Sequence, residues 1–137
     1  LRHNDSNGVS RNAKKSKSFL EFETTKQIDD FFTYNYSKPV TINDLSDFLN
    51  ISPRQAQRLV VRYCGTTFRQ ELIFVRMEFA KRYLKETELL ISEIAERVGY
   101  EYTSSFCKAF YKQTGFTPEN YRRHVKNIEN VLNNKSL

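Results

Sequence analysis

The same pattern of apolar and helix-ending residues occurs twice in this chain of 137 residues, and it limits the fold more than any other feature. Each copy has apolar residues three or four positions apart, which share one face of a short helix. The offset between the copies is 49 positions before the turn and 50 after it. The matching positions are Ile42, Leu45 and Leu49 with Ile91, Ile94 and Val98, then Arg58, Val60 and Gly65 with Lys108, Phe110 and Gly115. The sequence therefore predicts a duplicated helix-turn-helix unit.

Glycine and proline mark the helix boundaries. The chain has only four Gly and three Pro, so the position of each one is informative. Ser52-Pro53 combines a helix N-cap with the residue that is best tolerated in a first helical turn. Gly65 and Gly115 stand where the second helix of each unit ends, a position at which glycine is enriched. Because no segment shows the alternation of a strand, we predict an all-α fold of seven helices.

These helices divide the chain into a central domain and two flanking segments. A long amphipathic helix, with Phe68, Leu72, Val75, Phe79 and Leu84 as its apolar stripe, is predicted to link the two units. Residues 1–24 begin with a stretch poor in apolar side chains and are predicted to be a linker or tail from an absent upstream domain. The predicted ranges are a domain over 25–126, a first helix near 25–36, a first helix-turn-helix unit over about 41–65, a linker helix over about 67–86, a second unit over about 91–115, and a C-terminal tail over 127–137.

The charge balance favours an anionic partner. Lys and Arg number 22 against 16 Asp and Glu, which gives a formal net charge of +6. Such a balance favours nucleic acid over a membrane surface. No apolar run approaches the roughly eighteen residues that span a bilayer, and no signal peptide is visible. We therefore expect a cytoplasmic protein.

The cysteines and histidines do not form a recognisable site. Cys64 and Cys107 fit best as small buried hydrophobes in a reduced chain, and a redox-sensing pair is the alternative. His3 and His124 are distant in sequence from each other and from any acid or thiol cluster. The sequence therefore predicts no metal site and no cofactor.

The second helix of each unit separates its apolar side chains from its basic ones at 100° per residue. The inward and outward sets are Ala56, Leu59, Val60 and Tyr63 against Arg54, Gln57, Arg58, Val61 and Arg62, then Phe106, Ala109 and Phe110 against Ser104, Ser105, Lys108, Tyr111 and Lys112. Residues 52–62 and 103–113 together hold five basic residues and no acid. A solvated surface helix usually mixes charges of both signs, so this sorting favours contact with an anion.

The chain resembles the C-terminal DNA-binding domain of the AraC/XylS family of bacterial transcription regulators over about 25–126. The resemblance is most specific in the second unit and its closing GxTPxxYR motif. It rests on Ile91, Glu93, Ile94, Ala95, Val98, Gly99, Tyr100, Phe106, Phe110, Gly115, Thr117, Pro118, Tyr121 and Arg122, and in the first half on Asp44, Leu45, Leu49, Ser52, Arg58, Leu59, Gly65, Arg76, Ala80 and Leu84. It implies a non-enzymatic regulator whose two recognition helices enter successive major grooves of DNA.

The resemblance also implies roles for single residues. The implied base-reading residues are Arg54, Gln57 and Arg58 in the first unit, and Ser104, Ser105 and Lys108 in the second. The predicted phosphate contacts are Arg62, Tyr111, Lys112, Tyr121, Arg122 and Arg123. The implied partner is a double-stranded DNA operator, with RNA polymerase as a possible second partner. We expect this fragment to bind as a monomer, whereas a full-length protein could dimerise through an upstream domain.

Three other functions remain open on the sequence alone. An enzyme would need more than the neighbouring acids Glu93, Glu96 and Glu101, because no pocket-forming loop or acid–base partner accompanies them. A helical protein-interaction module would bind without base preference and with little dependence on salt. RNA binding would require exposed stacking aromatics, for which Tyr111 and Tyr121 are the candidates.

Overall fold

A computed structural model of the chain describes residues 2–135, with side chains described from residue 18 onward. These residues form seven α-helices without a strand, which confirms the predicted fold class. The helices are α1 (Arg2–Asn35), α2 (Ile42–Leu49), α3 (Pro53–Cys64), α4 (Phe68–Glu86), α5 (Ile91–Arg97), α6 (Thr103–Thr114) and α7 (Pro118–Lys135). The pair α2 and α3 forms the first helix-turn-helix unit, and the pair α5 and α6 forms the second.

Local capping explains where these helices begin and end. The backbone N–H of Gln55 donates to the hydroxyl of Ser52 at 3.2 Å, which satisfies one of the free amides at the start of α3. Gly65 ends that helix with φ of 73°, in the left-handed region that a side chain disfavours. Asn50 ends α2 in the same region, with φ of 56°. The turns therefore have the residues that their backbone conformations require.

Two hydrophobic clusters, one in each unit, are joined by α4. The first comprises Ile28, Phe31, Phe32, Leu45, Ala56, Val60 and Leu72. The second comprises Met77, Ala80, Leu84, Ile94, Ala95, Val98, Phe106 and Phe110. Helix α1 thus completes the core of the first unit, while α4 contributes one half of its length to each cluster.

The buried face of α4 differs from the predicted single stripe. Leu72 and Leu84 are buried as expected, but Phe68, Val75 and Phe79 are only partly buried. Met77 and Ala80, which lie outside that stripe, are at most 1 % exposed. At 100° per residue, the face around these two residues and Leu84 is turned by roughly 100° from Leu72. The predicted stripe does contact both units, since Phe68 and Val75 pack against the first cluster and Phe79 against the second, but it is not the fully buried face, because α4 packs against two units on different sides.

The terminal helices extend further than the sequence predicted. Helix α1 begins at Arg2, not near residue 25, and α7 continues through the predicted tail to Lys135. Neither glycine nor proline interrupts the chain between Gly8 and Pro39, so nothing local stops α1 where its apolar pattern fades. Phe19 and Phe22 in this extension are more than 60 % exposed. The assignment of residues 1–24 to a linker stays a prediction.

Within residues 2–135, no helix has the length and apolar character needed to cross a membrane.

Candidate nucleic-acid interface

Helix α3 presents the predicted base-reading residues of the first unit to solvent. Arg54, Gln57 and Arg58 are exposed and line one open depression together with Val61 and Arg62. On the opposite side of the helix, Ala56 and Val60 are fully buried in the first hydrophobic cluster. The buried side therefore fixes the rotation of α3 and directs a surface with three arginines outward.

Helix α6 has the same two-sided arrangement. Phe106 and Phe110 are fully buried, and their rings contact each other with centroids 5.9 Å apart. The exposed residues are Ser104, Ser105, Lys108, Tyr111 and Lys112. The extended residue before α6 is Tyr102, so Thr103 is the first helical residue. The outward surface carries two lysines in place of the three arginines of α3.

Arg76 of α4 connects the end of α1 to the turn of the second unit. Its Nε donates to the carbonyl of Tyr36 at 2.7 Å, and its Nη2 donates to the carbonyl of Lys38 at 3.0 Å. The guanidinium also lies 5.4 Å from the centre of the Tyr100 ring, in a cation–π contact. Gly99 leaves space for this group, since a Cβ there would lie 3.0 Å from Arg76 Cζ. These contacts set the orientation of one unit relative to the other.

The predicted phosphate-binding residues differ in their exposure and in the contacts that their side chains make. Tyr111, Lys112 and Arg123 are exposed, and their side chains make no hydrogen bond or ion pair within residues 18–135. Arg62 is exposed as well, but its Nη2 lies 3.0 Å from the carboxylate of Glu21. Tyr121 is half-buried, and its ring packs edge-on against the ring of Phe110.

Arg122 is held by the fold. Its Nε donates to the carbonyl of Leu84 at 3.1 Å, and its Nη2 donates to the carbonyl of Thr87 at 3.3 Å. It therefore satisfies carbonyls at the end of α4, as Arg76 does just after the end of α1. This geometry gives Arg122 a structural role, and its predicted phosphate contact stays a prediction.

Sequence reasoning missed Arg69, in the first turn of α4. This exposed residue lines a groove that also contains Gln57 and Val61 from the outward face of α3. Burial raises the pKa of Tyr100, and the nearby guanidinium groups of Arg76 and Arg69 oppose that rise. Arg69 therefore lies close to both units. Arg69 is seven residues before Arg76 and so lies on the same face of α4. This spacing is visible in the sequence, but base-reading residues were predicted only on α3 and α6.

The two cysteines pack in separate places. Cys64 packs against the first hydrophobic cluster and Cys107 against the second. Burial raises the pKa of Cys64 to about 11, with further contributions from Glu71 and Asp29. Burial also raises the pKa of Cys107. A raised pKa lowers thiolate reactivity, so the geometry favours the packing role over the redox pair.

Metal-ligating side chains do not cluster in the described part of the chain, where no group of three or more His, Cys, Asp or Glu could hold an ion. The ring of His124 stacks on that of Phe116 with centroids 5.1 Å apart. The side chain of His3 lies outside the described residues.

Comparison with known proteins identifies the domain type. A family model described as a helix-turn-helix domain matches residues 45–124, which is more than half of the chain. The chain belongs to the AraC-type helix-turn-helix family. This confirms the resemblance that the motif residues indicated.

Individual relatives agree with that assignment. The lactose operon transcription activator of Staphylococcus xylosus is 32 % identical over 106 residues, which cover 77 % of this chain and 36 % of that protein. The C-terminal domain of AraT, a response regulator from Geobacillus stearothermophilus, is 36 % identical with a TM-score of 0.69, covering 74 % of this chain and 84 % of that one. The DNA-binding domain of AdpA, solved with a target DNA, is 21 % identical with a TM-score of 0.69, covering 76 % and 93 %. The AdpA likeness concerns the fold alone. This AraC-type chain spans about a third of the length of the first curated relatives that it matches.

Proposed function

We propose that this AraC-type domain binds double-stranded DNA sequence-specifically, with α3 and α6 in successive major grooves, as the DNA-binding part of a bacterial transcription regulator. One observation carries the proposal. Both second helices bury two core residues completely, Ala56 and Val60 in α3 and Phe106 and Phe110 in α6, and expose acid-free basic surfaces. The AdpA domain, which has the same fold, was solved in complex with a target DNA, and this supports the assignment.

The length of α4 is compatible with two adjacent grooves. Its 19 residues correspond to about 28 Å at 1.5 Å per residue. One turn of DNA is about 34 Å, the spacing that separates successive major grooves on one face. A single chain could therefore place both recognition helices without a second copy.

The first unit has the stronger side chains for reading bases. Arg54 and Arg58 can each donate two hydrogen bonds to guanine, and Gln57 can pair with adenine in the same way. Val61, which is 56 % exposed in the same surface, would contact a thymine methyl group. In the second unit, Lys108 is the principal reader, because Ser104 and Ser105 pair with more than one base. The first half-site should thus be the better specified.

We revise the set of phosphate contacts that the sequence predicted. We assign them to Arg62, Lys112, Tyr111 and Arg123, together with Arg69 between the two units, and Tyr121 stays a prediction. Arg122 is left out because its guanidinium is bonded to carbonyls of Leu84 and Thr87.

The remaining assignments concern the whole protein. We propose that residues 25–126 form the DNA-binding domain, that residues 1–24 connect it to an upstream domain through α1, and that α7 continues through the segment 127–135. RNA polymerase is proposed as a second partner, and the nucleoid of the bacterial cytoplasm as the location. The lactose operon and the other operons named for the related regulators are targets of those proteins, and we assign none of them to this chain.

Selection of bound duplexes from a random DNA pool tests this function, and sedimentation of the resulting complex tests its stoichiometry. We expect an enriched motif in two parts, about one helical turn apart, and one protein chain on a site of about 20 base pairs. A pool without enrichment would refute sequence-specific binding. Two chains on the minimal site would refute the single-chain geometry and leave the specificity intact.

A further inference from the structure

Arg62, at the end of the first recognition helix, already has an anionic partner inside the chain. Its Nη2 donates to Oε1 of Glu21 at 3.0 Å. Glu21 belongs to α1, 41 positions earlier. Arg62 lies four residues after Arg58 and lines the same depression as the base-reading residues. A carboxylate from outside the helix-turn-helix unit therefore reaches the surface that we assign to DNA.

We propose that Glu21 is an intramolecular mask for Arg62, which occupies the guanidinium that would otherwise contact a DNA phosphate. This inference rests on the proposed function. Carboxylate and phosphate oxygens are both ligands for a guanidinium, so a phosphate that takes the Nη2 donor of Arg62 displaces the carboxylate of Glu21. DNA must break the pair to gain this contact.

The pair is weak enough to be displaced. The side chain of Arg62 is 61 % exposed and that of Glu21 is 42 % exposed, so solvent and salt screen their attraction. A phosphate that replaces the carboxylate also releases condensed counterions from the DNA. The mask therefore reduces DNA affinity without abolishing it.

The position of Glu21 in α1 makes the mask adjustable. Glu21 precedes Ile28, the first residue of α1 that is buried in the core, by about two helical turns. Its neighbours Phe19, Leu20 and Phe22 are all more than 60 % exposed. This part of α1 can therefore change its contacts with Arg62 without disturbing the hydrophobic cluster.

The test compares DNA binding by Glu21→Gln, Arg62→Gln and the double variant, on the selected duplex and on random duplexes, over a salt series. We expect Glu21→Gln to raise affinity for both DNAs by about two- to five-fold at low salt, the range set by an exposed ion pair. In the presence of Arg62→Gln, the same substitution should give no such gain. Thermal unfolding of each variant checks that the fold is unchanged.

Glu23→Gln is the matched control, because it removes the same charge from the same helix about 200° away. It should raise affinity slightly, through long-range repulsion alone, and equally with and without Arg62→Gln. The mask is refuted if Glu21→Gln gains no more than this control, or if its gain survives Arg62→Gln. It is also refuted if Arg62→Gln leaves DNA affinity unchanged. In each of these cases, the proposed function would still stand if the unaltered chain binds the selected duplex more tightly than random DNA.

Discussion

The ring of Tyr36 stacks on the ring of Phe79, with centroids 4.0 Å apart and planes inclined by 4°. Tyr36 follows the end of α1 and packs against both hydrophobic clusters, while Phe79 lies in α4. Burial, assisted by the hydrogen bond with Tyr83, raises the pKa of Tyr36 to about 12, so the phenol stays protonated at neutral pH. Together with the bonds of Arg76, this stack holds the first unit against the linker helix.

Phe79→Ala should therefore destabilise the domain, though less than truncation of a fully buried ring. We expect a loss of about 2–3 kcal/mol in the free energy of unfolding, because Phe79 is only partly buried and fully buried Phe→Ala changes cost about 3–5 kcal/mol. Urea unfolding measures the difference. Phe74→Ala, at a half-exposed ring of the same helix, is the control and should cost less than about 0.5 kcal/mol. Equal losses for the two variants would contradict a stabilising stack.

The packing of Phe79 could not be predicted from the sequence, whereas other features could. The helix boundaries at Ser52 and Gly65 follow from local rules, so they could be read directly from the chain. The exposed faces of α3 and α6 follow from helix periodicity in the same way. The packing of Phe79 depends on Tyr36, which is 43 positions away, and the buried face of α4 depends on two partners at once. No local pattern contains that information.

Gly99→Ala should disturb the connection between the two units. Gly99 has φ of 95°, and an added Cβ would lie 3.0 Å from Arg76 Cζ and 3.0 Å from the carbonyl oxygen of Ser37. We expect a loss of about 2–4 kcal/mol in unfolding free energy, since a backbone penalty of about 1–2 kcal/mol adds to the displacement of Arg76.

Gly65→Ala provides the matched control for this prediction. Gly65 also has positive φ, 73°, but a Cβ added there would have no neighbouring atom within 4 Å. This variant should show the backbone penalty alone, about 1–2 kcal/mol. If chemical denaturation gives the same loss for both glycines, then Arg76 is able to move away at no cost and does not fix the units.

Stability should depend on pH through Glu71. Burial raises the pKa of Glu71, and the charge of Asp29 raises it further. An acid whose pKa is raised by folding contributes stability that is complete below its unfolded pKa and is lost as pH rises through the folded value. Glu71→Gln should therefore become more stable relative to the unaltered chain as pH rises from about 4, near the pKa of an unfolded glutamate, toward neutrality. Urea midpoints across this range, with Glu86→Gln as an exposed control on the same helix, measure the effect. A constant difference would show that Glu71 is solvated.

Two adjacent arginines should separate stability from DNA binding. Arg122→Gln removes the donors to Leu84 and Thr87, and should lower unfolding free energy by about 1–3 kcal/mol. Arg123→Gln should leave stability within about 0.5 kcal/mol and reduce the slope of log affinity against log salt by about one. Thermal unfolding and DNA titrations on both variants decide this. The sequence alone could not distinguish the pair, because the carbonyl partners of Arg122 are 35 and 38 positions away.

The last prediction separates base reading from phosphate binding on the recognition helices. Arg58 is exposed in the middle of the outward face of α3, one turn after Arg54, so a base edge is its expected target. Lys112 lies in the last turn of α6, where a helix inserted in a groove has passed the bases and meets phosphate. A solvated surface charge is the alternative for both residues.

Arg58→Ala should cost about 1–3 kcal/mol on the selected duplex and relax discrimination at one base pair, with a smaller effect on random DNA. Lys112→Ala should weaken selected and random DNA equally and lower the salt slope by about one. Titrations of both variants on both DNAs across a salt series measure these effects. If Arg58→Ala weakens the two DNAs equally, Arg58 contacts phosphate and α3 lies differently in the groove. If both variants lose no more affinity than the removal of a distant positive charge would cause, the DNA-facing surface lies elsewhere. Removal of a base contact or of a phosphate contact would each cause a larger loss of affinity.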